Sequence, residues 1–165
     1  MSRTRQALKE EGFVSPVIIQ GKLLLRELIS QTKDWDEPLP VERKRLWETW
    51  RDFIKELGNL HIDRTYVKTS LTQTVSKEVH IFCDASEQAI AAVAYLFTTD
   101  VNDVKEVGFI MGKSKVAPSH GHTVPRVELC AAVLAVDMAE RMAVGCPARY
   151  YQIPFPQENR SGIHP

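Results

Sequence analysis

The chain has 165 residues, and its 21 basic and 21 acidic side chains cancel to a formal net charge of zero. Hydrophobic residues make up 44% and charged ones 25%, enough apolar material for a core, so global disorder is excluded. No single-sign charge run stands out, which excludes a basic tail or arm and leaves only a local patch to meet nucleic acid. Cys83, Cys130 and Cys146 cannot all pair and have no Cys-x-x-Cys spacing. That usage fits a reducing compartment, cytoplasm or nucleus, rather than a disulfide framework. Met1 to Glu11 is charged and lacks the apolar centre of a signal peptide, so secretion is not expected. Every apolar run is broken well before about 18 residues, so no membrane span is expected either.

In chain order, residues 14–30 predict a helix. Ser15 suits the N-cap, Pro16 suits the first helical position, and Val17, Ile18, Leu24, Leu25 and Leu28 recur at helical spacing. Asp34 to Pro40 is a turn-rich connector. A second helix is predicted over Val41 to Leu57, with Leu46, Trp47, Trp50, Phe53, Ile54 and Leu57 as its apolar stripe and Gly58 as its stop. The two tryptophans could stack on bases, but their helical spacing favours helix packing.

After a linker from Asp63 to Ser76 the period changes. Glu78 to Asp84 alternates and is rich in β-formers, which predicts a strand. Ala89 to Phe97 predicts a second, buried strand, Thr98 to Asp103 a polar turn, and Val104 to Lys113 a third strand with Gly108 and Gly112 as irregularities. A loop runs from Val116 to His122. Pro125 opens a third helix reaching Ala143, with Val127, Cys130, Leu134 and Met138 on one stripe. Ala131, Ala132, Ala135 and Ala139 form a small-residue face for close approach to a sheet. From Val144 onward no period is visible, and Pro147, Pro154, Pro156 and Pro165 mark an irregular tail.

Two carboxylates stand out. Asp84 ends an apolar strand and is followed by Ala85 and Ser86, and Glu128 falls in the first turn of a helix that faces a core. A strand aspartate and a helix glutamate are hard oxygen ligands suited to Mg²⁺ or Mn²⁺, and paired ions about 4 Å apart can assist phosphodiester cleavage. The plainer alternative is a turn residue and a glutamate that complements the helix dipole.

The wording of the sequence adds to this. Gly12-Phe-Val-Ser-Pro-Val-Ile-Ile-Gln-Gly-Lys22, Trp35-Asp-Glu-Pro-Leu-Pro40 and Trp47-Glu-Thr-Trp50 resemble the segment after the polymerase palm in BEL/Pao-type LTR retrotransposon polyproteins. His80-Ile-Phe-Cys-Asp-Ala-Ser86 and Gly108-Phe-Ile-Met-Gly-Lys-Ser-Lys-Val-Ala-Pro118 look like the start of the ribonuclease H-like domain of the same elements. His122-Thr-Val-Pro-Arg-Val-Glu-Leu-Cys-Ala-Ala-Val-Leu-Ala-Val136 continues the likeness, which covers roughly residues 11 to 143. Families of this region also carry the label Pao retrotransposon peptidase.

The resemblance implies an enzyme that cuts the RNA strand of an RNA–DNA hybrid with acidic residues and two Mg²⁺ ions. Its first-strand Asp matches Asp84 and its first-helix Glu matches Glu128. Its third acid, an Asp on the fourth strand, and a later acid have no match, and the tail's only acid is Glu158. The expected fold is therefore α+β. It has a helical module over residues 1–75, a truncated ribonuclease H-like unit of three antiparallel strands and one helix over 76–143, and an irregular tail over 144–165. Without a fourth strand, the Asp84 strand would be an unprotected edge open to self-association. Little or no cleavage by the chain alone is expected.

Other chemistries fit less well. An aspartic peptidase needs Asp-Thr/Ser-Gly, and Asp84-Ala85-Ser86 lacks the glycine. His120 and His122 with Cys83 or Cys130 lack the paired short spacings of a structural zinc site. Ser86 has no Gly-x-Ser-x-Gly elbow around it. Lys113, Lys115, His122 and Arg126 form the best local basic cluster, to which Ser114 and Thr123 could add hydroxyls, and could touch phosphates of nucleic acid or an RNA–DNA hybrid. The alternative in a different class is a non-catalytic interaction protein derived from a retroelement, binding through the open sheet edge or the Trp47/Trp50 helix.

Overall fold

The structure is a computed structural model that describes residues 3–31, 38–63, 65–118, 123–143 and 149–151. Helix α1 spans Arg3–Gln31 and α2 spans Val41–Glu56, ending in a 3-10 turn at Leu57–Asn59. Strands β1 (Thr74–Ala85), β2 (Ala89–Asp100) and β3 (Lys105–Val116) follow, then α3 (Val124–Ala143) and a short β4 (Arg149–Tyr151). The sheet order is β3-β2-β1-β4. β1, β2 and β3 are antiparallel neighbours, and β4 runs parallel to β1. This is the mixed α+β class that the change of sequence period implies.

Alternation along the strands sorts the sheet into two faces. Val79 and Ile81 of β1, and Ile90, Ala92, Ala94 and Leu96 of β2, are buried on one face with Met111 of β3. There they meet Val127, Ala131, Leu134, Ala135 and Met138 of α3. The alanines of α3 bring its axis close to the sheet, as their spacing in the sequence implies. The intervening residues turn the other way. Phe82 lies edge-on to Tyr95 at 6.2 Å, Tyr95 to Phe109 at 5.7 Å, and Phe109 to Phe13 of α1 at 4.4 Å. Helix α1 therefore covers the β3 side of this second face.

Three local expectations change. First, α1 starts near residue 3 and contains Pro16 rather than beginning at it. A proline inside a helix removes one hydrogen bond and crowds the carbonyl four residues back. Here that residue is Gly12, whose backbone lies against Gly112 of β3; a Cβ on Gly12 would sit 2.3 Å from the Gly112 nitrogen. Ser15 is not a cap, and its hydroxyl is 2.6 Å from that of Ser114. Second, β2 runs on through Thr98 to Asp100, and β3 extends from Lys105 to Val116. Asp100 Oδ1 accepts the amides of Asn102 and Val104, each at 2.8 Å, and Asp103 adopts φ 62°. That local bonding lets an aspartate hold the left-handed conformation and moves the turn towards the carboxyl end. The irregularity in β3 falls between its two glycines, where the pairing with β2 skips Ile110.

Third, the chain after α3 is not wholly irregular. Glu78, Val79 and His80 of β1 pair with Arg149, Tyr150 and Tyr151. Two β-forming tyrosines beside an open row of amides and carbonyls account for this short ladder. The β1 edge is thus covered over Glu78 to His80, correcting the expectation that no strand would sit beside it. Residues 144–148 and 152–165 of the expected tail lie outside the described residues, as do Asp34 to Glu37 of the connector.

Helix α2 buries none of its residues and rests on α1. Trp50 sits over Gly21, where any Cβ would fall 2.2 Å from the indole, and its Nε1–H donates to the Val17 carbonyl at 2.9 Å. Arg43 pairs with Glu27 at 2.5 Å. Trp47 lies 5.0 Å from Trp50, ring to ring. The helix-packing reading of this pair fits the contacts of Trp50. Among the described residues, no helix is long and apolar enough to cross a membrane.

Candidate functional site

The antiparallel connections bring several termini to one end of the sheet. β1 ends at Ala85, β2 begins at Ala89, and Val116 at the end of β3 pairs with Ala89. Helix α3 begins at this same end. Asp84 and Glu128 are therefore neighbours in the topology, one on the last turnward residues of β1 and one near the start of α3.

Both carboxylates are exposed. Asp84 Oδ1 accepts the amide of Ala85 at 2.9 Å. Its strand parity matches His80 and Phe82, so it belongs to the face opposite α3. Cys83 alternates towards α3, and its thiol is pushed up from its ordinary pKa by burial, with the neighbouring Asp84 charge adding to the effect. A raised thiol of this kind is a packing residue rather than a metal-ready thiolate.

The buried stripe of α3 sets its rotation, and an ion pair marks one flank. Lys113 of β3 lies 3.6 Å from Asp137, which also accepts from Arg141 at 3.1 Å. Asp137 thus marks the flank of α3 that faces β3. Glu128 lies nine positions earlier, about half a turn around the helix at roughly 100° per residue. It belongs to the flank that looks towards β1. Asp84 and Glu128 thus lie at the same end of the sheet but in different layers, Asp84 on the face opposite α3 and Glu128 on α3 itself.

The basic cluster divides. Lys113 and Lys115 share the α3 side of β3, and Lys115 and Arg126 are exposed. Arg126 is eleven positions before Asp137, which returns it to nearly the same flank of α3. The three cations thus occupy one corner, opposite the Glu128 flank. Lys113 already has a carboxylate partner. Ser114 is not available to a phosphate as expected, because it faces α1 and is engaged with Ser15. The Thr123 carbonyl accepts the amides of Arg126 and Val127 at 3.0 and 3.2 Å, opening α3. His120 and His122 lie outside the described residues.

Sequence reasoning missed Asp137. Its carboxyl is held below the usual aspartate range first by the Arg141 hydrogen bond, with Lys113 adding attraction. Arg141 four residues later was the available signal. Asp137 is committed to cations and is no third metal ligand. Among the described residues, no group of three or more His, Cys, Asp or Glu side chains could hold a metal ion. Two exposed carboxylates do not fit a two-ion Mg²⁺ site, whose charge demands more oxygen ligands.

No curated protein and no solved structure matches the chain significantly. A family model described as Pao retrotransposon-like RNaseH-like domain matches residues 4–155, taking in α1, the sheet, α3 and β4. With helix α1, the three antiparallel strands, α3 and the parallel β4 all inside that match, the chain belongs to the Pao retrotransposon-like RNaseH-like domain family.

Proposed function

We propose that this chain is one segment of a retrotransposon polyprotein, carries part of a ribonuclease H-like site, and does not cut an RNA–DNA hybrid by itself. The observation that carries the reading is the donor set. Asp84 and Glu128 share one end of the sheet, while the described part of the fourth strand is Arg149-Tyr150-Tyr151, with no carboxylate. The resemblance places an aspartate on that strand. In the parent enzymes the chemistry is Mg²⁺-dependent cleavage of the RNA strand, with Asp84 and Glu128 at ligand positions. In this chain the pair would hold Mg²⁺ or Mn²⁺ weakly. Lys113, Lys115 and Arg126, with His122, would supply residual affinity for nucleic-acid phosphates, falling with salt.

Titration with Mn²⁺, followed by broadening of backbone amide signals, tests the metal end. Weak broadening confined to Asp84–Ser86 and Val127–Leu129, lost in Glu128→Gln, is expected. Absence of broadening there at millimolar Mn²⁺ would sink the assignment.

A second reading, a non-catalytic interaction module, draws on a different observation. Among the described residues, Ile81 to Ala85 has no strand on its β4 side, and Leu46 and Phe53 of α2 are about half exposed. Concentration-dependent self-association without any response to Mn²⁺ would favour it.

A further inference from the structure

Arg26 lies in the last two turns of α1 and has no acidic partner among the described residues. Its Nη1 instead donates to the carbonyl of Ala117 at 2.8 Å. Ala117 is 3% exposed and is the point where the chain leaves β3 towards α3. The other side of the same residue is also tied down, because the Ala117 amide donates to the Gln88 carbonyl at 2.8 Å. Gln88 lies in the turn directly after Asp84. Ser86 closes that turn, its amide donating to the Ala89 carbonyl at 2.8 Å and its hydroxyl oxygen accepting the Ala89 amide at 3.1 Å. A continuous set of bonds therefore runs from α1 through Ala117 to the turn that presents Asp84. The same Ala117 anchors the start of the segment that delivers Glu128.

The rest of α1 makes this link rigid rather than incidental. Gly12 against Gly112 and Ser15 against Ser114 fix α1 along β3. Eleven residues beyond Ser15, at about 1.5 Å rise each, Arg26 reaches past the end of β3 to the site end of the sheet.

We infer that Arg26 is a positioning residue for the Asp84/Glu128 end, acting through the Ala117 carbonyl to hold the two connections that carry the carboxylates. The inference rests on the proposed reading of that end as an incomplete site that holds a divalent ion weakly. A guanidinium suits the task, since it stays charged at any accessible pH and gives a buried carbonyl a strong, directional donor. An ordinary helix-to-sheet staple would make a different mark, a uniform loss of stability throughout the sheet.

The test compares the full chain with Arg26→Met, which keeps the stem without donors, and Arg26→Lys, which restores one donor. Two readouts are taken, amide hydrogen exchange and Mn²⁺ broadening. In Arg26→Met, exchange at Ala117, Ala89 and Val127 should quicken about tenfold, the scale of one lost hydrogen bond. Val79 and Ile81 should be unchanged. Broadening near Asp84 and Glu128 should weaken in Arg26→Met and return in Arg26→Lys. Unchanged exchange at Ala117, equal acceleration across the whole sheet, or Mn²⁺ broadening identical to wild type would overturn the inference. Wild-type protein that shows no broadening overturns the metal-end reading instead. Exchange at Ala117, Ala89 and Val127 alone then decides whether Arg26 positions the two connections.

Discussion

The two faces of the sheet are held by different physics. The α3 face is apolar, with Ala131, Leu134, Ala135 and Met138 closing on Val79, Ile81, Ala94 and Leu96. The α1 face adds to its Phe13–Phe109 ring contact a bare backbone approach at Gly12, a hydroxyl pair at Ser15 and Ser114, and cations on carbonyls. Lys9 is 4% exposed and donates to the carbonyls of Asp63 and Thr65 at 2.5 and 2.9 Å, beneath Tyr66. Hydrophobic burial is tolerant of direction and sums over area. Backbone contact and charge-to-carbonyl bonds depend on position. The first face should therefore set stability, and the second should set where the chain's connections lie.

Substitutions separate the two faces. The largest effect belongs to the apolar face. Met138→Ala removes the largest fully buried side chain and should cost about 2–5 kcal/mol in chemical denaturation. A loss below about 1 kcal/mol would mean that the α3 face is not the main source of stability. Gly12→Ala puts a methyl into the Gly112 backbone and should cost about 1–3 kcal/mol, because backbone cannot step aside as a side chain can. Amide hydrogen exchange of this variant should show α1 loosening with the sheet amides still protected. Trp50→Phe keeps the ring over Gly21 but loses the bond to Val17, an expected cost of about 1 kcal/mol by the same denaturation.

The smallest effect is electrostatic. Asp137 titrates below its usual value in the folded chain, first through Arg141. A depressed carboxylate adds stability that is fully present above the unfolded value of 3.8 and is lost as pH falls through the folded one. Thermal melts of Asp137→Asn should therefore show a shallower acid-side decline than wild type. An equal or steeper decline would remove Asp137 from the account.

The apolar face was legible in the sequence because burial writes periodicity. The 3.6 period of Val127, Leu134 and Met138 and the alternation from Glu78 to Asp84 placed α3 and β1 within a few residues. The other face was not legible. Pro16 read as a helix start because proline suits that position, and the contact that holds the turns before it, Gly12 against Gly112, spans a hundred positions. Arg26 and Lys9 carried no signal in the sequence, and Ser114 was read as a phosphate contact, because a bond to a distant carbonyl or hydroxyl leaves no local pattern. β4 was missed because three residues are too few to show a period, and the edge that recruits them belongs to β1. At the candidate site, the identities of Asp84 and Glu128 were readable. Their placement at one end of the sheet needed the strand register and the order of the elements.

On the proposed reading, the two carboxylates at that end make an incomplete nuclease site. The most direct test is incubation of the full chain with an RNA–DNA hybrid labelled on the RNA strand, in Mg²⁺ and separately in Mn²⁺. RNA cleavage no faster than in buffer is expected, with no difference between wild type and Asp84→Asn. Robust, metal-dependent cutting that disappears in Asp84→Asn would contradict it.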